Sequence, residues 1–292
     1  MGELFWSASI LAALGTTLAV ILNLPVTPTI IVSAAVAVFY TLFGGIYAVA
    51  YTDVIQLILM IIGLFLAIPF VLTNNALPDE GIGLSYTNDS ITGEIVEYGQ
   101  PIWIGEIKDK SIAKWIDSMI MLIFGGLPWQ AYFQRVLSAE SDRAAQTLSF
   151  VAPAGCILLV VPPILIGAGA KVANWELTEL ALANFTATGF DNIHEYLDNY
   201  NSSILPLALK YLTPAAVAYI GLGAVAAAVM SSTDSSLLSA ASLVTVNVVQ
   251  EFLLLCKFKV SNRLGGWILK FNILALGAIA TIIAITYSSG TR

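Results

Sequence analysis

The chain has 292 residues, 58% of them hydrophobic and only 11% charged, with a mean hydropathy of +0.85 and a formal net charge of −7. Adding its 22 glycines brings the apolar share to about 65%, against about 45–50% for soluble domains. That composition excludes disordered and collagen-like chains, and 12 Lys and Arg against 19 Asp and Glu exclude a nucleic-acid partner. The lipid bilayer is the expected solvent.

Charge-free runs mark the spans. The first, Leu4 to Thr52, is too long for one span of about 20 residues and is interrupted at Asn23-Leu-Pro25 and at Gly44-Gly45, so it predicts two helices. Val54 to Pro78 predicts a third and Ser118 to Gln134 a fourth. Ala144 to Ala170 predicts a fifth, Tyr211 to Thr233 continuing through Ser235 to Gln250 a sixth, and Phe271 to Thr291 a seventh. The expected class is therefore an all-α, polytopic membrane protein. Met1 enters an apolar span without the features of a signal peptide, and the chain stops directly after the last span. Both ends suggest that 1–292 is a piece of a longer transmembrane domain.

Two polar, acidic stretches, 73–113 and 171–206, hold the N-glycosylation sequons at Asn88, Asn184 and Asn201. Span parity puts both on one face, read as extracellular. The opposite face receives Arg135, Arg143, Lys257, Lys259, Arg263 and Lys270, which satisfies the positive-inside rule with a cytoplasmic amino terminus.

Carboxylates at bilayer depth are costly and point to function. Asp53 follows Thr52 and the Gly44-Gly45 pair. It reads either as an intramembrane acid or as the interfacial cap of the third helix. Asp234 lies among Ser231, Ser232, Thr233, Ser235, Ser236 and Ser239. A hard monovalent cation such as sodium wants several oxygen ligands and little fixed charge, which Asp234 with Ser231, Ser232 and Ser235 provides. Ala228, Ser231, Ser232 and Ser235 share one helical face, with Asp234 turned aside. Packing by small residues explains the serines but leaves the aspartate unexplained.

In the fourth span, Gly125-Gly126 and Pro128 predict a helix break, and transporters tolerate such breaks where the chain lines a substrate cavity. Trp129 stands at the break, followed by Gln130 and Tyr132. An exposed indole face suits a quaternary ammonium, while packing against lipid is the plainer fate of a tryptophan. Trp6 reads first as an interfacial anchor. Cys156 and Cys256 are too few for a disulfide framework, and with the lone His194 they leave no metal cluster and no Cys/His couple, so no enzymatic chemistry is expected.

The segment Tyr40-Thr-Leu-Phe-Gly-Gly-Ile-Tyr-Ala-Val-Ala-Tyr-Thr-Asp-Val-Ile-Gln56 and the stretch Ala227-Ala-Val-Met-Ser-Ser232 resemble the sodium:solute symporter family. Gly125 to Ser138, Gly221 to Ser239 and Gly2 to Trp6 are most similar to its choline-carrying branch. The resemblance implies the inverted-repeat helical fold of sodium-coupled transporters, with Trp115 to Arg135 as the broken sixth core helix. It implies that Ala228, Ser231 and Ser232 belong to the common sodium site, and that Asp53, Asp234 and Ser235 form an additional one. It makes Trp129 and Trp6 walls of an aromatic cage for choline, next to Gln130 and Tyr132. Sodium-driven choline uptake across the plasma membrane, in a presynaptic or vesicular setting, with dependence on chloride and a role in supplying acetylcholine synthesis, is implied in the same way. A symporter for another small organic solute and a non-transporting membrane scaffold are the alternatives. Oligomeric state has no signature in the sequence.

Overall fold

The computed structural model describes every residue except Met1, Asn23, 79–80, 84, 89–94, 99–102, 104–108, 127–128, 183–192, 200–202, Lys259 and 291–292. Among the described residues, seven helical stretches are long and apolar enough to cross a membrane, matching the predicted number and class. In chain order the helices are α1 (Gly2–Leu22), α2 (Val26–Gly45), α3 (Val49–Leu72), α4 (Asp109–Gly125) and α5 (Gln130–Leu137). They continue with α6 (Asp142–Val172), α7 (Ile193–Asn199), α8 (Ile204–Tyr211), α9 (Ala215–Val244), α10 (Glu251–Leu255) and α11 (Asn262–Gly290). A π-helical segment, Thr245–Gln250, joins α9 to α10. The chain forms two compact units, Met1–Gly63 with Leu222–Arg292, and Leu64–Gly221.

In the first unit, α1, α2 and α11 meet through small and branched side chains: Ala8, Leu11, Ile30, Ala34, Ala280 and Ala284 form one buried cluster. Lipid tails are as apolar as these side chains, so close backbone approach rather than water exclusion holds such helices together. Gly15 provides that approach, since a Cβ there would stand 2.2 Å from Ile30 Cγ1 and 2.8 Å from its Cα. Gly15→Val is expected to destabilise the unit by about 1–3 kcal/mol, the usual cost of overpacking a close contact. Thermal unfolding in detergent measures it, and an unchanged midpoint would refute the contact.

The predicted interruption at Gly44-Gly45 is a sharp bend at Gly45, whose φ of 60° and ψ of −170° belong to a region open essentially to glycine alone. The bend is large. In a straight helix Tyr40 and Thr52 would stand about 18 Å apart, beyond the reach of their side chains. Instead the Tyr40 hydroxyl hydrogen-bonds Thr52 Oγ1, which requires the chain to fold back on itself. Asp53 consequently lies inside α3, past its first turn, so the capping reading is set aside.

The last span begins at Asn262 rather than Phe271, because Arg263 and Lys270 are accommodated within the helix. Ser261 caps it, accepting from the Leu264 amide at 3.3 Å. The Lys270 ammonium lies over the rings of Trp267 and Phe43 at 5.6 and 6.0 Å, a cation–π setting. Asn272 Nδ2 donates to Thr245 Oγ1 at 2.9 Å, tying α11 to the π-helical segment.

In the second unit α6 packs on α8, whose Pro206, Leu207, Ala208 and Leu209 are buried. Ser141 caps α6 by accepting from the Ala144 amide at 3.3 Å. After α3, Asn74 Nδ2 donates to the Leu212 carbonyl at 3.1 Å, and the Asn174 amide donates to the Ala76 carbonyl at 2.7 Å. These bonds satisfy the polar backbone where the helices end. The stretch 73–113 also holds an antiparallel hairpin, Ser85–Asn88 with Ile95–Tyr98, which the composition did not announce. Asn88 ends the first strand, paired in register with Ile95, whereas Asn184 and Asn201 lie outside the described residues.

Candidate functional site: two membrane carboxylates and a broken helix

Both candidate intramembrane carboxylates sit in the first unit, and each meets a hydroxyl from a different segment. Ser231 Oγ on α9 donates to Asp53 Oδ1 on α3. Thr41 Oγ1, on α2 ahead of the bend, lies 3.1 Å from Asp234 Oδ1 on α9. Ser231 and Asp234 are three residues apart, about 4.5 Å along α9, while Thr41 and Asp53 are separated by twelve residues of chain. Only the Gly45 bend lets both reach one turn of α9.

The surroundings of Asp234 are those of a buried acid rather than of an interfacial one. Asp234 is wholly buried, and its Oδ2 has no hydrogen-bond partner among the described residues. A buried carboxylate oxygen without a partner carries a large desolvation cost, which a cation would offset. Ser232 Oγ donates to the Ala228 carbonyl at 3.1 Å. Ser231 and Ser232 therefore each commit their proton to an acceptor and keep oxygen lone pairs for a metal ion. Ser235 is half-buried on the same helix, one residue past Asp234.

In the second unit, the expected break in the fourth span falls where Gly125-Gly126 and Pro128 predicted it. The α4 helix ends at Gly125 and α5 begins at Gln130, with Leu127 and Pro128 outside the described residues. Trp129 takes the amino-terminal cap position in extended backbone, φ −70° and ψ 117°, without a side-chain cap bond. Its side chain is 43% exposed, and most residues of this span are likewise exposed. Gln130 is the first residue of α5. The Tyr132 hydroxyl pairs with Ser149 Oγ at 2.6 Å, which fastens α5 to α6 and leaves the ring edge-on to Phe133. Trp6, in the first turns of α1, is half-exposed.

Sequence reasoning did not single out Tyr40 or Thr41. Both stand in the quoted segment that ends at Gln56, and their hydroxyls in an uncharged run were the available signal.

Residues 5–291 match the sequence profile described as "Sodium:solute symporter family". The chain belongs to that family. It is 45% identical over 288 residues, 99% of its length, to the Drosophila melanogaster "High-affinity choline transporter 1", and covers 42% of that protein. It is 41% identical over 285 residues, 98% of its length, to the Homo sapiens "High affinity choline transporter 1", and covers 45% of it. A Vibrio parahaemolyticus "Sodium/glucose cotransporter" is 27% identical over 84% of this chain and 45% of its own length. The chain thus spans a little under half of the relatives it matches. The family and these relatives are transporters, and sodium coupling is a property of the family by its description.

Proposed function

We propose that this chain is part of a sodium-coupled transporter that takes up choline across the plasma membrane. The observation that carries the sodium assignment is the pairing of two membrane carboxylates with hydroxyls around one turn of α9, with Asp234 Oδ2 left unpartnered. In this reading Ala228, Ser231 and Ser232 contribute to one sodium position, and Asp53, Asp234 and Ser235 to another. Sodium entering down its gradient and the inside-negative potential gains about 2.3 kcal/mol per charge per 100 mV, which drives uptake of the organic cation.

The substrate assignment rests on the part-exposed Trp129 at a helix break, supported by choline transporters at 41–45% identity over nearly the whole chain. An ammonium without N–H donors is recognised through the faces of aromatic rings, and no acidic partner is needed. Gln130 and Tyr132 flank that position, while the role proposed for Trp6 rests on the family resemblance alone. Chloride dependence, a presynaptic or vesicular setting, supply of acetylcholine synthesis, and glycosylation at Asn88, Asn184 and Asn201 of extracellular stretches 73–113 and 171–206 belong to the same proposal.

The test is uptake of radiolabelled choline by cells expressing the full-length transcript, with external sodium present or replaced. Asp53→Asn and Ser231→Ala are each expected to raise the half-saturating sodium concentration about tenfold, the loss of one charge-assisted contact. Wild-type protein at the cell surface that takes up no choline would end the substrate assignment. Sodium curves unaltered in both variants would end the site assignment.

A further inference from the structure

We infer that Thr41 is a positioning residue for the sodium site: its hydroxyl holds one oxygen of Asp234 so that the other is presented to the ion. This rests on the sodium-site reading above. Thr41 and Asp234 are both completely buried, and the Thr41 hydroxyl stands 3.1 Å from Asp234 Oδ1. The same oxygen lies 2.8 Å from the Ala37 carbonyl, one turn earlier in α2. A hydroxyl has one proton to donate; the Ala37 carbonyl is the nearer acceptor and the carboxylate the stronger one, so the proton is shared between them.

A carboxylate can rotate about its terminal bond, which has broad torsional preferences. With Oδ1 tied to α2, that freedom is removed, and Oδ2 is the oxygen left without a hydrogen-bond partner among the described residues. That oxygen is buried and partnerless among the described residues, an arrangement that suits a hard monovalent cation. Tyr40 strengthens the arrangement from the adjacent position. Its hydroxyl bonds Thr52, the neighbour of Asp53, so two consecutive residues of α2 hold the surroundings of both carboxylates.

The experiment is the sodium dependence of choline uptake by the full-length protein with Thr41→Val, which keeps the side-chain shape and removes the donor. The half-saturating sodium concentration is expected to rise about tenfold, with choline affinity at saturating sodium unchanged, and Thr41→Ser is expected to restore the wild-type curve. A fall in maximal uptake with an unchanged sodium curve would assign Thr41 to packing alone and overturn the inference. Should Thr41→Val not reach the surface, Thr41→Cys, with its weaker donor, takes its place. It is expected to shift the sodium curve in the same direction, and a wild-type curve would again overturn the inference. Ser231→Ala, measured alongside, separates the two possible failures. If it shifts the curve and the Thr41 variants do not, the sodium site stands and the role of Thr41 falls. If none of them shifts it, the sodium-site reading itself falls.

Discussion

Trp129→Ala is expected to raise the choline concentration for half-maximal uptake about 30-fold, the equivalent of about 2 kcal/mol for a desolvated ammonium over an indole. The backbone at this position is already extended and makes no side-chain cap bond, so alanine removes the ring without removing a helix cap. The sodium dependence should be unaffected, because the residue belongs to the broken helix and not to the carboxylate pair. Trp129→Phe, which keeps a smaller π face, should recover part of the affinity. Concentration curves for labelled choline at saturating sodium decide the matter: an unchanged half-maximal concentration in Trp129→Ala would remove the indole from the substrate site.

Gly45→Ala is expected to cost about 1–3 kcal/mol of stability, the price of holding an L-residue at φ 60° and ψ −170°. No atom stands within 4 Å of a Cβ built there, so the penalty is one of backbone and not of crowding. The effect should extend to sodium, since both the Tyr40–Thr52 bond and the Thr41–Asp234 approach depend on the bend. Gly44→Ala is the control, for Gly44 has no positive φ and lies in helical backbone. Thermal unfolding of the purified protein compares the two. Equal midpoints for both variants would contradict the bend.

The spans were legible because the bilayer imposes a simple demand: about 20 residues without charge for each crossing. That rule also explains where the reading fell short. It stopped the last span short of Lys270 and Arg263, although a cationic side chain is tolerated near a helix end when its head group meets aromatic faces, as the Lys270 ammonium does over Trp267. The break before Trp129 was legible from Gly125, Gly126 and Pro128, whose backbone effects are local. Asp53, Asp234 and the serines of α9 were legible as unusual chemistry in an apolar setting. Their partners were not. Which hydroxyl meets which carboxylate depends on how α2 folds back at Gly45 and on the register of α9 beside it, and neither is written in local spacing. Thr41 resembles any other threonine until its tertiary neighbour is known, and Asp53 looked equally like a cap until α3 was seen to begin before it.

The run from Ala215 to Leu255 is 41 residues, about 60 Å if straight, twice the thickness of a hydrocarbon core of about 30 Å. Its π-helical turn, Thr245–Gln250, can be regarded as an insertion that the helix has absorbed without changing the direction of its faces. Losing one residue anywhere else in this run would rotate everything beyond the deletion by about 100° and carry Ser231 and Asp234 or the terminal apolar residues to the wrong side. Losing one within 245–250 would only tighten a wide turn. The length of the chain and the orientation of its side chains are thus uncoupled at this one place, which makes it the position along the helix where descent can add or remove a residue at least expense to either end.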